Sequence, residues 1–198
     1  MTIKPTGSID RRRALLAYSD FLWALGYDFL EIPSMSQEAS GKDTATRHVD
    51  AMIEFLTKQQ EHFDFTTFDA ESVTGMVAIT SVEFFSLCAH HVLPYIGRAH
   101  VGYLPDGKVC GLSKIVRVVD HYAHRLSIQE TLTSKVATFI EEQLKPQGCG
   151  VVIEAQHLCM SLRGVERPGH LTVTSDMRGC FQEVAVRQEF MAMIARTK

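Results

Sequence analysis

Apolar positions recur at helical spacing from Ile9 to Gly26, where Leu15, Leu16, Tyr18, Phe21, Leu22, Trp23 and Leu25 follow Asp10, a capping residue, and precede Gly26, a stop. The spacing predicts a helix. Glu31 to Lys42, with Pro33, three serines and Gly41, reads as a connector, after which Asp43 or Thr44 opens a second helix carrying Val49, Met52, Ile53, Phe55 and Leu56. The first third is therefore helical and amphipathic, suited to packing against a sheet or a neighbouring chain.

The period changes after Phe63. Val73 to Phe85 is rich in β-branched and aromatic residues, and Arg98 to Leu104 alternates before the turn signal Pro105-Asp106-Gly107, so both read as adjacent antiparallel strands. Helical spacing returns over Ser113 to Arg125 and over Ser127 to Leu144. Beyond Pro146 and the Gly148-Cys149-Gly150 break, Val151 to Ala155 and Leu171 to Thr174 read as strands, and Gln182 to Arg196 as a closing helix. Segregated runs of helices and strands predict an α+β fold with a largely antiparallel sheet rather than a doubly wound parallel one. The pattern divides the chain into a helical segment, 1–62, and a mixed domain, 63–198.

A length of 198 residues fits one domain with an appended helical segment. Twenty basic against 23 acidic residues, a formal charge of −3, is too balanced for a nucleic-acid binder, so any phosphate must be held by a local site. No apolar run is long enough to span a bilayer and Met1 to Arg13 lacks a signal-peptide core, which predicts a cytoplasmic chain without a membrane partner. An odd number of cysteines, five, argues for reduced thiols over a disulfide framework, and opens metal binding or catalysis.

Two clusters carry that chemistry. Ser86-Leu87-Cys88-Ala89-His90-His91 follows an apolar strand and sets Cys88 and His91 at a short chelate spacing; Gln156-His157-Leu158-Cys159 ends another strand. Cys88, His91 and Cys159 offer three ligands and leave His90 and His157 over. Three protein ligands with a fourth position for water are the mark of a catalytic zinc, and imidazoles beside it suit proton transfer near neutral pH, so the set suggests hydrolysis. If Cys110, Cys149 or Cys180 completed the set, the zinc would be structural.

Gly111-Leu112-Ser113-Lys114 with Arg117 one turn on would gather backbone N–H groups, a hydroxyl at a helix cap and two cations around an anion; the bland alternative is a capped helix with solvated charges. Arg163, just past the second cluster, adds a cation, and Glu130 beside Gln129 offers a carboxylate to two N–H groups of a nucleobase edge.

Together these stretches resemble the GTP cyclohydrolase I family, from about Val73 to Phe181: Cys88-Ala89-His90-His91, Gly97 with Gly102-Tyr103-Leu104-Pro105, Gly111-Leu112-Ser113-Lys114, Gln129-Glu130, His157-Leu158-Cys159-Met160, Arg163-Gly164-Val165 and Thr172-Val173-Thr174-Ser175 leading to Gly179. The N-terminal helices resemble it only loosely, with Thr44-Ala45-Thr46-Arg47 where the family usually shows Thr-Pro-x-Arg. The resemblance implies a tunnelling fold (T-fold), an antiparallel sheet with helices packed on one side, assembled as a ring-shaped homodecamer with sites at subunit boundaries. It implies Zn2+ on Cys88, His91 and Cys159, proton transfer by His90 and His157, and a GTP site. Ser113, counted with the catalytic set as well, Lys114, Arg117 and Arg163 would grip the triphosphate, Glu130 and Gln129 would read the guanine, and Arg47 would approach from a neighbouring subunit. The implied reaction turns GTP and water into 7,8-dihydroneopterin triphosphate and formate without a redox cofactor, for pterin and folate or for deazapurine synthesis.

One departure lies in the core motif, where Ala89 stands in place of the family's common Glu. A residue orienting a ligand is worth about 10- to 100-fold in metal affinity or activity, so slower turnover or a changed substrate follows if that Glu has such a role. Two rivals remain: a related T-fold enzyme acting on another purine or pterin, and a non-catalytic zinc-stabilised module. No dinucleotide fingerprint supports a redox member.

Overall fold

The computed structural model describes residues 8–27, 43–57, 64–70 and 72–196. They fall in two compact units, one within residues 4–58 and one spanning 59–198.

The first unit is a helix pair, α1 (Arg11–Ala24) and α2 (Thr44–Thr57). Asp10 caps α1 by accepting from Arg13 N–H at 2.9 Å, and Asp43 accepts from Thr46 N–H at 2.7 Å ahead of α2. Arg11 and Asp50 join the two helices at 2.7 Å, and the Tyr18 and His48 rings stack at 4.0 Å. The connector expected over Glu31–Lys42 lies outside the described residues.

In the second unit a ribbon pairs β1 (Thr67–Asp69) with β4 (Lys108–Cys110). Five further strands, β2 (Val77–Cys88), β3 (Pro94–Leu104), β5 (Leu126–Ser127), β6 (Gly148–His157) and β7 (Thr172–Gly179), form one sheet in the order β5-β2-β3-β6-β7. All pairings are antiparallel except the short parallel one of β5 with β2. Two-residue alternation builds the core: Tyr95, Ala99, Val101 and Tyr103 of β3 and Val151, Ile153 and Ala155 of β6 share one fully buried face. Helices α3 (Leu112–Ala123) and α4 (Gln129–Leu144) cover that face with Ile115, Val118, Leu132, Val136 and Ile140.

The opposite face is covered at one end, where α6 (Val184–Ala195) and the preceding 3-10 turn bring Phe190 and Phe181 over Val152. Helices α3 and α4 therefore lie on one side of the sheet, as expected, and α6 adds cover on the other. Elsewhere this face stays open: Ile96, Leu171 and Val173 are exposed.

Strand β6 begins at Gly148, through the glycines that read as a break. A side chain on Gly150 would stand 2.5 Å from Phe181 Cδ1, so the glycine is a strand position flattened to admit an aromatic ring. Strands β1, β4 and β5 carry no sequence signal of their own, since two or three residues show no period.

Strand β2 holds a bulge. Val77 pairs with Tyr103 and Ile79 with Val101, but Val82 pairs with Ala99, one residue out of step. Ser81 takes φ 57 there, and its N–H donates to Nδ1 of the buried His100 at 3.2 Å, while His100 Nε2 meets Glu154 Oε1 at 3.2 Å. Before the bulge Val77 and Ile79 face the main core; after it Val82, Phe84 and Cys88 do.

Candidate metal centre and its surroundings

Cys88 closes β2 in a tight turn: its N–H donates to Leu93 O at 2.9 Å and Val92, at φ 55, donates back to Cys88 O at 2.8 Å. The turn carries His90 and His91. Cys159 arrives from α5 (Leu158–Ser161), the single helical turn after β6, two strands away. The ligand atoms of Cys88, His91 and Cys159 all lie within 4.8 Å of one another. Tetrahedral zinc ligands sit about 3.5–3.8 Å apart, so these donors close on one ion with small rotations, and two thiols with an imidazole suit a borderline-soft divalent metal. Burial and then the charge of Cys88 push the Cys159 thiol up from its ordinary value, an effect that Arg163 opposes. A cation between the two sulfurs removes that penalty.

The other cysteines stand apart from this cluster. Cys149 pairs with Tyr103 and Arg178 at the far end of the sheet and its thiol faces Ala137 O at 3.7 Å; Cys110 lies by the Tyr103 hydroxyl; Cys180 follows Gly179, which pairs with Gly148. Among the described residues no cysteine supplies the fourth ligand of a closed site.

Both spare histidines border the cluster's end of the sheet. His90 Nδ1 is 3.8 Å from Cys88 Sγ. His157 lies flat on Tyr95, its partner across β3 and β6, with rings 4.5 Å apart and 5° from parallel. Its Nε2 is 2.8 Å from Gln129 Oε1. Burial, and then His170, lower the pKa of His157, while Glu130 raises it. Tyr95 is fully buried, and burial pushes its hydroxyl up to about 12, an effect that Ser86 opposes.

Glu130 is exposed in the first turn of α4, where the helix dipole favours a carboxylate. Gln129, expected to share in reading a base, is instead 1% exposed and fully engaged within the protein. The Glu154 carboxylate meets His100 on the other face of the sheet.

Ser113, Lys114 and Arg117 are not gathered with the metal cluster in one chain. Their helix starts beside Cys110, at the Tyr103 end of the sheet, and ends at Ala123, two residues before Arg125, whose carbonyl accepts from Ser86 Oγ near Cys88. Ten residues of helix carry Ser113 about 15 Å from that end. Nor is Ser113 the cap: Gly111 takes that position, its carbonyl accepting from Lys114 N–H at 2.8 Å, so Ser113 sits exposed in the first turn. Arg47 belongs to the N-terminal unit, in the first turn of α2.

Sequence reasoning missed Tyr95 and His170. Continuing the β6–β7 register past Ala155 and Thr172 sets His170 opposite His157. His170 Nδ1 donates to Arg167 O at 2.6 Å, and its buried Nε2 has no partner. Only the register of separate strands reveals this row, and no local spacing encodes it.

An α+β sheet whose end gathers two thiols, an imidazole placed to join them on one ion and two further imidazoles has the donor set of a metal site in a hydrolytic enzyme. A profile of GTP cyclohydrolase I matches residues 28–195. GTP cyclohydrolase 1 of Aquifex aeolicus is 41% identical over 189 residues, 94% of this chain and 98% of that protein; "GTP cyclohydrolase 1 2" of a Nostoc species is 52% identical over 157 residues, 77% of this chain and 72% of its own. The chain belongs to the GTP cyclohydrolase I family. Among solved structures, that of the archaeosine synthase QueF-Like in the apo form overlays with a TM-score of 0.45 at 17% identity, over 52% of this chain and 93% of that one. No helix among the described residues is long and apolar enough to cross a membrane.

Proposed function

We infer that this chain is a GTP cyclohydrolase I, converting GTP and water to 7,8-dihydroneopterin triphosphate and formate in pterin biosynthesis. The observation that carries the reading is the meeting of Cys88, His91 and Cys159 within 4.8 Å, with His90 and His157 beside them, in a member of this family.

Cys88, His91 and Cys159 hold zinc. When bound, the ion supplies a Lewis acid that brings the pKa of water to about 7. His90 and His157 exchange protons with the imidazole nitrogens of the guanine as its C8 is hydrolysed away, and Glu130 accepts N–H groups at the pyrimidine edge. Ser113, Lys114, Arg117 and Arg163 bind the triphosphate, with Arg47 arriving from a neighbouring subunit. Because Ser113 and Lys114 lie at the far end of their own sheet, their phosphate grip serves the metal cluster of another copy, which supports assembly as a homo-oligomer, a decamer by family likeness. The open sheet face with Ile96, Leu171 and Val173, and the free edge of β7, suit such contacts. Reduced thiols at the site fit a cytoplasmic setting.

Purified protein incubated with GTP should release formate and yield a fluorescent pterin after oxidation, and a zinc chelator should abolish both. Cys88→Ala and Cys159→Ala should lose bound metal and turnover; His90→Ala and His157→Ala should keep the metal and lose about 10²- to 10⁴-fold in kcat. Equal activity across all four variants would defeat the mechanism.

A further inference from the structure

Gln129 occupies a position that the sequence alone assigns to base recognition, and the structure gives it other work. Its amide nitrogen lies 3.0 Å from Ile153 O, 2.9 Å from Thr172 O and 3.1 Å from Thr174 Oγ1. Two of these are backbone carbonyls, which only accept, so the NH2 group must face them and Oε1 must face the other way. The threonines agree. Thr133 donates to Gln129 O at 2.8 Å, so the 2.6 Å contact between Thr133 and Thr174 is a donation from Thr174, and Thr174 Oγ1 can share one of the two amide hydrogens that point to Ile153 O and Thr172 O.

Every hydrogen in the cluster then has one direction, and Oε1 can only accept. It stands 2.8 Å from His157 Nε2. That nitrogen must carry the proton, and in the neutral ring Nδ1 keeps its lone pair.

We propose that Gln129 is a positioning residue that locks His157 in the Nε2–H tautomer, making Nδ1 the atom that exchanges protons with the substrate. Tyr95 fixes the ring plane from below and Gln129 fixes its rotation in that plane. The lock is sequence-distant but short in space: Gln129 opens α4, and its acceptors lie on β6 and β7, so the helix N-terminus is pinned to the strands that frame the site. The catalytic part of this inference rests on the functional reading above; the tautomer itself does not.

The test uses the full chain labelled with 15N-histidine. Solid-state NMR of the substrate-free protein, with His157 identified by its absence in His157→Gln, should show Nε2 as the protonated nitrogen and Nδ1 as the bare one. In Gln129→Leu the two tautomers should mix, and kcat should fall about 10- to 100-fold with KM for GTP held within about two-fold. Gln129→Glu keeps an oxygen opposite Nε2 and should keep that nitrogen protonated, although its second oxygen, like leucine, offers Ile153 O and Thr172 O no hydrogen. Both variants strip Ile153 O and Thr172 O of their donor, so if neither folds, the wild-type spectrum decides the matter. A protonated Nδ1 in the wild type, an unchanged tautomer in Gln129→Leu, or a rise in KM with kcat intact would overturn the proposal, the last in favour of direct contact with the base. Wild-type protein that shows the tautomer but forms no formate would refute the functional reading and leave the lock in place.

Discussion

A single atom can decide whether two layers of this protein meet. At Gly150 the absent side chain lets Phe181 and Met177 close on the sheet; an added methyl would find them 2.5 Å and 2.8 Å away. Gly150→Ala should therefore lower stability by about 1–3 kcal/mol through overpacking, seen as a lower urea midpoint with unchanged slope. The residues of the metal centre are the part of the site that sequence shows best. Cys88 and His91 sit in one turn and Cys159 follows one strand, so two short spacings suffice to suggest them. Gln129 and Glu130 read alike in sequence, but Glu130 faces water while the Gln129 amide points inward, a distinction that depends on where the first turn of α4 meets β6 and β7.

Helices and long strands are legible because burial on one face imposes a period, and their ends are less so. Strand β6 runs beyond its expected limits at both ends, through glycines whose role is set by Phe181 and Cys180 on other elements. Helix α4 ends at Lys145 in the left-handed region, φ 47, with its N–H donating to Glu141 O at 3.0 Å. Glycine is the residue suited to that backbone. Lys145→Gly should raise stability by about 0.5–1 kcal/mol, read as an upward shift of the thermal midpoint. At the same end of the sheet Arg178 ties β7 to α4, contacting Asp176 at 3.0 Å, Glu141 at 2.8 Å and Ser134 O at 3.2 Å. These contacts brace the strand that supplies Thr172 and Thr174 to the Gln129 cluster.

For the molecule as a whole, the proposed division of labour between copies is the property least visible in the chain. Lys114 and Cys88 are close in sequence and carry complementary chemistry, but α3 spans the sheet and holds them apart. If each site draws its metal from one subunit and its phosphate grip from another, chains bearing only Cys88→Ser and chains bearing only Lys114→Ala should each be inactive and should regain part of the activity when coexpressed as mixed oligomers. Mixed oligomers as inactive as either parent would mean that both halves of a site come from the same chain.

The bulge at Ser81 reaches further than its size suggests. Side chains on a strand point alternately up and down, so one uncounted residue reverses every later one. With the strand in simple step, Cys88 would emerge on the side away from Tyr95 and His157, and its sulfur would never meet Cys159. His100, sealed in the sheet and holding Ser81 in place, thus sets the parity of an element whose reactive tip is many residues onward. Inserting or deleting one residue of the strand between them amounts to turning the tip over.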